Sequence, residues 1–368
     1  MTLKDEALRS KRLLFKLWLL CALTAGAVFA PGVAARPLDP PAVDVKVITD
    51  EADAALTVLS KSEAGGAVTE EDWRRVFESE GYVRLKRRET SMRRSFEDAD
   101  FKAFLLSDPV RARRSALAAT LARWKGADVT RAASLALAYL PKGARIRAKI
   151  YPVIKPRENS FVFDLDTDPA IFLYLDPTVG REKFENTLAH ELHHIGFGTV
   201  CPPKAVADEN ARLPRNLRTV VRYVGAFGEG FAMLAAAGGP DVHPHAVSGA
   251  EERARWDRDV ANFNADLKKV ERFFLDVLAD RLSEEQVGET VSSFFGEQGP
   301  WYTVGWKMCA LVEKTYGRRA LIEAMCDRRR LLATYNRAAA RHNRRAREPL
   351  ALWSPSLVAA VERPAPAR

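Results

Sequence analysis

The sequence has 368 residues, of which 47% are apolar, so the chain is long enough for one large domain or two ordinary ones and is not of the disordered class. Its formal charge of +9 at pH 7 comes from scattered Lys and Arg residues. Nucleic acid is therefore not an expected partner, because binding surfaces for it show runs of like charge or basic residues interleaved with aromatic ones.

Residues 1–35 are typical of an export signal. A basic stretch, SKRLLFK, precedes the apolar run from Leu17 to Ala30, and small residues ending in GVAA follow it. The apolar run is short for a membrane span. We therefore predict cleavage after Ala35 and a periplasmic or secreted protein with no stable membrane association, and an uncleaved N-terminal anchor is the alternative.

The mature chain would keep three of the four cysteines, which is far from a disulfide-dense scaffold. In an oxidising compartment one pair can bridge and leave the third thiol free. The sequence does not decide which two pair among Cys201, Cys309 and Cys326.

The region 36–140 is predicted to be mainly helical, after a loose proline-rich lead-in at about residues 37–46. Thr69 is placed to cap a helix in TEEDWRRVFESEG, with acidic residues in the first turn and Gly81 at the end. The stretches SFEDADFKAFLLS and SALAATLARWKG also have apolar residues at helical spacing.

Between Ala144 and Asp176 the spacing of apolar residues changes. The segments RIRAKIYPVIKP, NSFVFDLD and AIFLYLD are short and rich in β-branched or aromatic residues. We expect them to form consecutive strands of a small antiparallel sheet. Pro152, inside the first segment, favours an edge position for that strand.

A helix is expected from about Gly180 to Phe197, followed by a loop over CPPKAVADENARLPR. Helices then run from Asn216 to about Ala340, with breaks at GGPDVHPHAVSG and FFGEQGP. We assign residues 141–347 to a second domain and 348–368 to a C-terminal tail. Together these elements predict an α+β, mainly α fold, with a small sheet over one helix and a helical C-terminal lobe.

The helix expected after the strands contains TLAHELHHIGFG, which has three of the six histidines of the chain within five residues. His190 and His194 are four residues apart, so both imidazoles would lie on one face and could reach one metal ion. Glu191 completes the HExxH spacing of zinc hydrolases, in which the glutamate takes a proton from water activated by the metal. His193 is rotated off that face and is not a predicted ligand.

A catalytic zinc ion needs a third protein ligand and an open fourth position. The metzincin pattern would require a glycine and a histidine where this chain has Phe197 and Val200. Glu229 is the remaining candidate, because it is the only acidic residue of the apolar segment YVGAFGEGFAMLAAAGG and a buried carboxylate must be paired or bind a metal. Gly228 and Gly230 beside it leave room for the close approach of another helix.

His190, Glu191 and His194, with Glu229 thirty-five residues downstream in a helix rich in small residues, resemble the gluzincin clan of metallopeptidases. The segment YTVGWKMCALVEKTYGRRALIEAM, which begins at Tyr302, and LLATYN behind it resemble bacterial zinc-dependent peptidases of that clan without assigned substrates. The resemblance covers about residues 140–345. It implies a zincin-like fold in which the two histidines and Glu229 hold zinc.

In many peptidases of this clan a tyrosine or histidine on a later helix stabilises the oxyanion, and the resemblance suggests this role for Tyr302. An aromatic residue packed in the core is the alternative interpretation of Tyr302. His243 and His245, in the loop PDVHPH, are rival donors.

The sequence thus predicts an exported zinc peptidase acting on peptides or proteins, with Glu191 as general base. We expect the substrate to lie antiparallel along the strand AIFLYLD. Two alternatives are a zinc-bearing binding or structural protein without turnover and a zinc hydrolase of a non-peptide ester or amide. An intact Glu191 speaks against the first, because zinc binding alone needs no base. The substrate, the mode of attack and the oligomeric state stay open.

Overall fold

The computed structural model describes residues 42–365, so the predicted export signal lies outside the described residues. Its first half contains four strands and eight helices. They are β1 (Val43–Val47), α1 (Asp50–Glu63), α2 (Glu70–Phe77), α3 (Glu80–Ser91), α4 (Asp98–Leu105), α5 (Asp108–Ala112), α6 (Arg114–Lys125), α7 (Val129–Leu137), β2 (Ile146–Val153), β3 (Phe161–Phe163), β4 (Ala170–Tyr174) and α8 (Arg181–Val200).

The second half is helical throughout. It consists of α9 (Lys204–Ala211), α10 (Arg215–Val224), a 3-10 turn (Gly225–Phe227), α11 (Gly228–Ala237), α12 (Ala250–Ala261), α13 (Phe263–Leu278), α14 (Glu284–Phe295), α15 (Pro300–Tyr316), α16 (Arg318–Cys326), a second 3-10 turn (Arg328–Arg330), α17 (Leu331–Asn343) and α18 (Pro355–Glu362). The predicted α+β, mainly α class is confirmed. The segment expected to be a loop after α8 contains the short helix α9.

The sheet is mixed, so the prediction of an antiparallel sheet is wrong. Its strand order is β1-β2-β4-β3; β2 is parallel to both β1 and β4, and β3 pairs antiparallel with β4. The physical reason is burial on both faces. In β4 the consecutive residues Ile171, Phe172 and Leu173 are all buried, and a continuous apolar run is typical of an internal strand with parallel neighbours.

The edge position predicted for the first strand is also wrong, because β2 is internal. Its ladder with β1 ends where the Ile48 N–H donates to the Ile150 carbonyl at 2.8 Å. Pro152 lies two residues further along, opposite Leu173 of β4. The N–H that Pro152 lacks would face the β1 side after that pairing has ended, so the proline costs β2 no hydrogen bond to β4.

The edge strand on this side is β1, which falls within the predicted proline-rich lead-in. Its sequence VDVKV alternates apolar and polar residues, and its burial alternates in the same way. That alternation is the signature of a strand with one buried face.

Helix α2 begins as predicted but ends earlier. The Thr69 side chain accepts a hydrogen bond from the Asp72 N–H, and the Asp72 side chain accepts one from the Thr69 N–H, which completes a capping box. Gly81 does not end this helix. Ser79 accepts a hydrogen bond from the Tyr82 N–H and so caps α3, in which Gly81 is the second residue.

Two hydrophobic cores meet at α8. One lies between the sheet and helices of the N-terminal half, and it includes residues from both sides of position 140, such as Leu59, Ala136, Ile171 and Leu192. The other is built by the helices after α9. By length and composition alone the helical stretch Arg215–Ala237 could cross a membrane, but it is mostly buried within this second core.

The predicted tail is packed over most of its described length. Trp353 is 1% exposed, and Leu357 and Val361 of α18 are fully buried in the core of the helical half. A disulfide joins Cys201, directly after α8, to Cys326 at the end of α16. Cys309 is the free cysteine among the described residues and is buried.

One buried acid in α1 lies against the end of β2. Glu51 is 1% exposed, and its Oε2 accepts a hydrogen bond from the Ile154 N–H at 3.0 Å. Its Oε1 has no partner within residues 42–365. Burial raises the pKa of Glu51 to about 8, because the charged form is poorly solvated there.

This raised pKa predicts a pH-dependent stability that Glu51→Gln should remove. The folded state keeps its proton up to about pH 8 while the unfolded state loses it near pH 4.5. Between those values the free energy of unfolding should fall with pH by up to about 1.4 kcal/mol per pH unit. Urea unfolding from pH 5 to 8 should show this slope diminished in Glu51→Gln and unchanged in Glu78→Gln, an exposed control. Equal slopes in both variants would contradict it.

Candidate metal centre

The metal-binding motif lies on the face of α8 that the sheet does not cover. The opposite face packs into the sheet core through Phe184, Leu188, Leu192 and Ile195, which recur at spacings of three or four residues. His190, Glu191 and His194 are partly exposed on the remaining face. The predicted helix is therefore present, and it extends to Val200.

The structure brings His190, His194 and Glu229 together. The two Nε2 atoms are 3.1 Å apart, and Oε2 of Glu229 lies 3.3 Å from Nε2 of His190 and 3.2 Å from that of His194. The three side chains are 13%, 28% and 21% exposed, in the order His190, His194, Glu229. The cluster is thus recessed but open to small molecules from solution.

This donor set fits zinc. Ligand atoms about 2.0–2.1 Å from a tetrahedral zinc ion lie about 3.3 Å from one another, and the three separations here are 3.1, 3.3 and 3.2 Å. Two imidazoles and one carboxylate are also common zinc ligands in hydrolases. Zinc could therefore be held by one ligand atom each from His190, His194 and Glu229, with the fourth coordination position open.

Glu229 and the two histidines of the cluster affect one another's ionisation, as the pKa shifts of Glu229 and His194 show. Burial alone would raise the pKa of Glu229, but His194 and His190 outweigh it and lower that pKa well below its usual range. Burial alone would lower the pKa of His194, but the Glu229 carboxylate outweighs it and raises that pKa. The carboxylate is thus ionised, as a metal ligand must be.

Glu229 reaches the histidines because two helix backbones touch. A Cβ at Gly230 in α11 would collide with backbone atoms of Tyr302, Gly305 and Trp306 in α15, and a Cβ at Gly305 would lie 2.8 Å from the Phe227 carbonyl oxygen. The space that the sequence predicts beside Gly230 is therefore filled by the backbone of α15.

Gly228 does not take part, since a Cβ there would meet no atom within 4 Å. Gly305 is not among the residues predicted from the sequence, although a glycine inside the apolar helix segment YTVGWKM is a signal of close packing.

Tyr302 lies at the start of α15, beside the cluster. Its ring stacks on His190 with 6.4 Å between centroids, and it also contacts Phe295 edge-on. Burial and the nearby Glu229 and Glu191 carboxylates raise the pKa of Tyr302. The phenol therefore keeps its proton at neutral pH and can donate a hydrogen bond.

Glu191 lies next to the ligand cluster but does not belong to it. Nothing in the described part of the chain forms a hydrogen bond or an ion pair with its side chain. Its negative charge nevertheless raises the pKa of both His194 and Tyr302, among smaller contributions. A partly exposed, unpartnered carboxylate beside a metal cluster is free to exchange a proton with water.

The other three histidines near the motif or in the PDVHPH loop have different surroundings. His193 is 1% exposed and lies between the rings of Phe197 and Phe231. His243 is 2.9 Å from Asp257, and His245 is 2.9 Å from the Ser248 hydroxyl. None of these three histidines belongs to the His190 cluster.

The two acids of the segment after α8 also lie outside the cluster. Asp208 forms an ion pair with Lys204 at 3.0 Å. Glu209 holds the Arg329 guanidinium at 2.6 and 2.9 Å. Both carboxylates are thus paired with cations.

Comparison with known proteins agrees with this geometry. The model of the family described as "Putative zinc dependent peptidase (DUF5700)" matches residues 68–344, more than half of the chain, so the chain belongs to this family. The match reaches further toward the N-terminus than the resemblance seen at about residues 140–345. No curated protein and no solved structure matches the chain.

The cluster predicts about one zinc ion per chain in protein purified without chelators. His190→Ala, His194→Ala and Glu229→Ala should each weaken zinc binding by more than about 100-fold, because removing a ligand costs more than removing one of its outer partners. Metal analysis and competition with a chromogenic chelator measure this. Asp208→Ala is the matched control, since it removes an exposed carboxylate. Full zinc affinity in Glu229→Ala would assign the third ligand elsewhere.

The helix crossing gives a second prediction, with neighbouring glycines as test and control. Gly230→Ala should destabilise the protein by about 1–3 kcal/mol or more, because α11 and α15 must separate, and it should weaken zinc binding by moving Glu229. Gly228→Ala has free space and should be neutral or slightly stabilising. Thermal unfolding and zinc titration of the two variants decide this. Similar behaviour of both would show that the contact does not position Glu229.

Proposed function

We propose that this member of the zinc-dependent peptidase family is an exported peptidase of the gluzincin type, with zinc held by His190, His194 and Glu229. The observation that supports catalysis most directly is Glu191. It stands beside the three candidate ligands and is partly exposed, with no partner among the residues that the structure describes. A protein that only binds zinc has no need of such a carboxylate.

Zinc bound there would supply a Lewis acid that makes water nucleophilic near neutral pH and polarises the scissile carbonyl. Glu191 accepts the proton of the attacking water and passes it to the leaving amine. Tyr302, kept protonated by its raised pKa, donates a hydrogen bond to the negative charge that develops on the carbonyl oxygen. The stacking of the Tyr302 ring on His190 supports this role.

The strand pairing argues against the substrate position along β4 that the sequence suggested. β4 is paired with β2 on one side and, from Ala170 to Phe172, with β3 on the other. An extended peptide can add only to a strand with an unpaired edge. Of the two outer strands, β3 is the one next to β4 and is partly exposed, so we assign the substrate to its outer edge.

Export is supported by two features of the chain. The N-terminal 35 residues have the basic, apolar and small-residue order of a signal. The Cys201–Cys326 disulfide is of the kind that persists in oxidising compartments. A periplasmic or secreted location is consistent with both.

Digestion of a peptide library by zinc-loaded protein tests this function, with Glu191→Gln as the deciding variant. Glutamine has the size of glutamate but cannot accept a proton, so this variant should keep its zinc and fold while turnover falls by about 100-fold or more. Mass spectrometry of the products and metal analysis measure the two quantities. Equal cleavage rates in both proteins would refute the mechanism, and hydrolysis of esters without any peptide cleavage would favour the non-peptide alternative.

A further inference from the structure

Arg328 is the partly buried arginine of its turn that has no partner among the described residues. It lies in the 3-10 turn between α16 and α17, and its side chain is half-buried. Arg329 beside it forms a two-pronged ion pair with Glu209 at 2.6 and 2.9 Å. Within residues 42–365 no carboxylate, carbonyl or hydroxyl accepts a hydrogen bond from the Arg328 guanidinium.

The Arg328 guanidinium is only partly withdrawn from water. Burial lowers the pKa of Arg328, but none of its nitrogens is fully buried without a partner, so a solute can still reach the group. A carboxylate is the best partner for it, because its two oxygens match the fork of guanidinium N–H donors.

One contact and one nearby disulfide place Arg328 close to α11 and to the end of α8, the two helices of the candidate metal centre. Its guanidinium lies against Gly225, where a Cβ would be 2.6 Å from Cζ and 2.7 Å from Nε and Nη1. Gly225 is four residues before Glu229 in one continuous helical stretch. Arg328 also follows Cys326 by two residues, and the disulfide ties Cys326 to Cys201 at the end of α8.

The spacing is short enough for one substrate to span it. Four helical residues rise about 6 Å, and an extended peptide advances about 3.3–3.6 Å per residue. A group held by Arg328 would thus lie within about two to four residues of the scissile bond.

We propose that Arg328 binds a carboxylate of the peptide substrate, either its C-terminal carboxylate or an acidic side chain close to the scissile bond. This proposal rests on the proposed peptidase function. It makes Arg328 a determinant of specificity, so that substrates with a carboxylate at this position bind more tightly than neutral ones.

Binding to the zinc-loaded Glu191→Gln protein tests it without turnover. The probes are fluorescent peptides of one sequence with a free C-terminus, with a C-terminal amide, and with an acidic residue changed to its amide. Arg328→Gln should weaken binding of the carboxylate-bearing probe by about 10- to 100-fold, as expected for a charged hydrogen bond, and leave unchanged the binding of a fourth probe in which both the C-terminus and the acidic residue are amides. In the protein that keeps Arg328, the modified probe that binds more weakly than the unmodified peptide identifies which carboxylate is bound.

Two further variants separate a binding role from a folding role. Arg330→Gln removes the same charge from an exposed position of the same turn and should change nothing. Gly225→Ala keeps the arginine but displaces its guanidinium, so it should reduce the preference for carboxylates while zinc content stays at the level of the Glu191→Gln protein.

Each result decides the proposal. Unchanged binding of every probe in Arg328→Gln, with peptide cleavage intact in the native protein, would overturn the role of Arg328 and leave the proposed function standing. Failure of the zinc-loaded protein to bind or cleave any peptide would overturn both. An Arg328→Gln protein that loses zinc would shift the decision to Gly225→Ala, where retained carboxylate preference counts against the proposal.

Discussion

The backbone contact between α11 and α15 is the constraint on which the site depends. Gly230 and Gly305 allow the two helices to approach until backbone atoms touch, closer than helices with side chains at the crossing can pack. Glu229 is next to the first glycine, and Tyr302 is three residues before the second. The backbones that carry the candidate metal ligand and the phenol are therefore fixed relative to each other, which is the kind of rigidity that catalytic groups require.

Helix α8 connects this crossing to the sheet. Gly196 allows α8 to approach Leu140 and Ile146 closely, and the Asn186 side chain donates a hydrogen bond to the Ala236 carbonyl of α11. His193 packs between aromatic rings, where burial lowers its pKa and keeps it neutral. The one motif histidine that does not face the metal cluster thus serves as an uncharged core residue, and it helps to hold the other two at the correct rotation.

The sequence predicts the local parts of the site well, because they depend on spacing along one helix. His190 and His194 share a face for that reason alone. Glu229 was found by a chemical argument, since an isolated acid in an apolar helix requires a partner. The order of the strands in the sheet could not be predicted from the sequence in the same way. The parallel pairing of β1 with β2 joins segments far apart in the chain, and the pairing of β2 with β4 passes over β3, the strand between them in sequence. The alternation in β1 is too short to outweigh the prolines before it.

The pairing of the cysteines could not be predicted from the sequence either, because it joins residues far apart in the chain. This pairing affects the stability of the candidate site. The Cys201–Cys326 bond closes a loop of 125 residues that contains α11 and all of α15, and hence Glu229 and Tyr302. In the chain-entropy account, closing such a loop disfavours the unfolded state by about 5 kcal/mol.

His190 and His194 lie just before this loop. Because the crosslink acts on the unfolded chain, it stabilises the packed structure around all the candidate site residues together. Burial raises the pKa of Cys309, so this thiol, the free one among the described residues, stays protonated and does not compete for zinc.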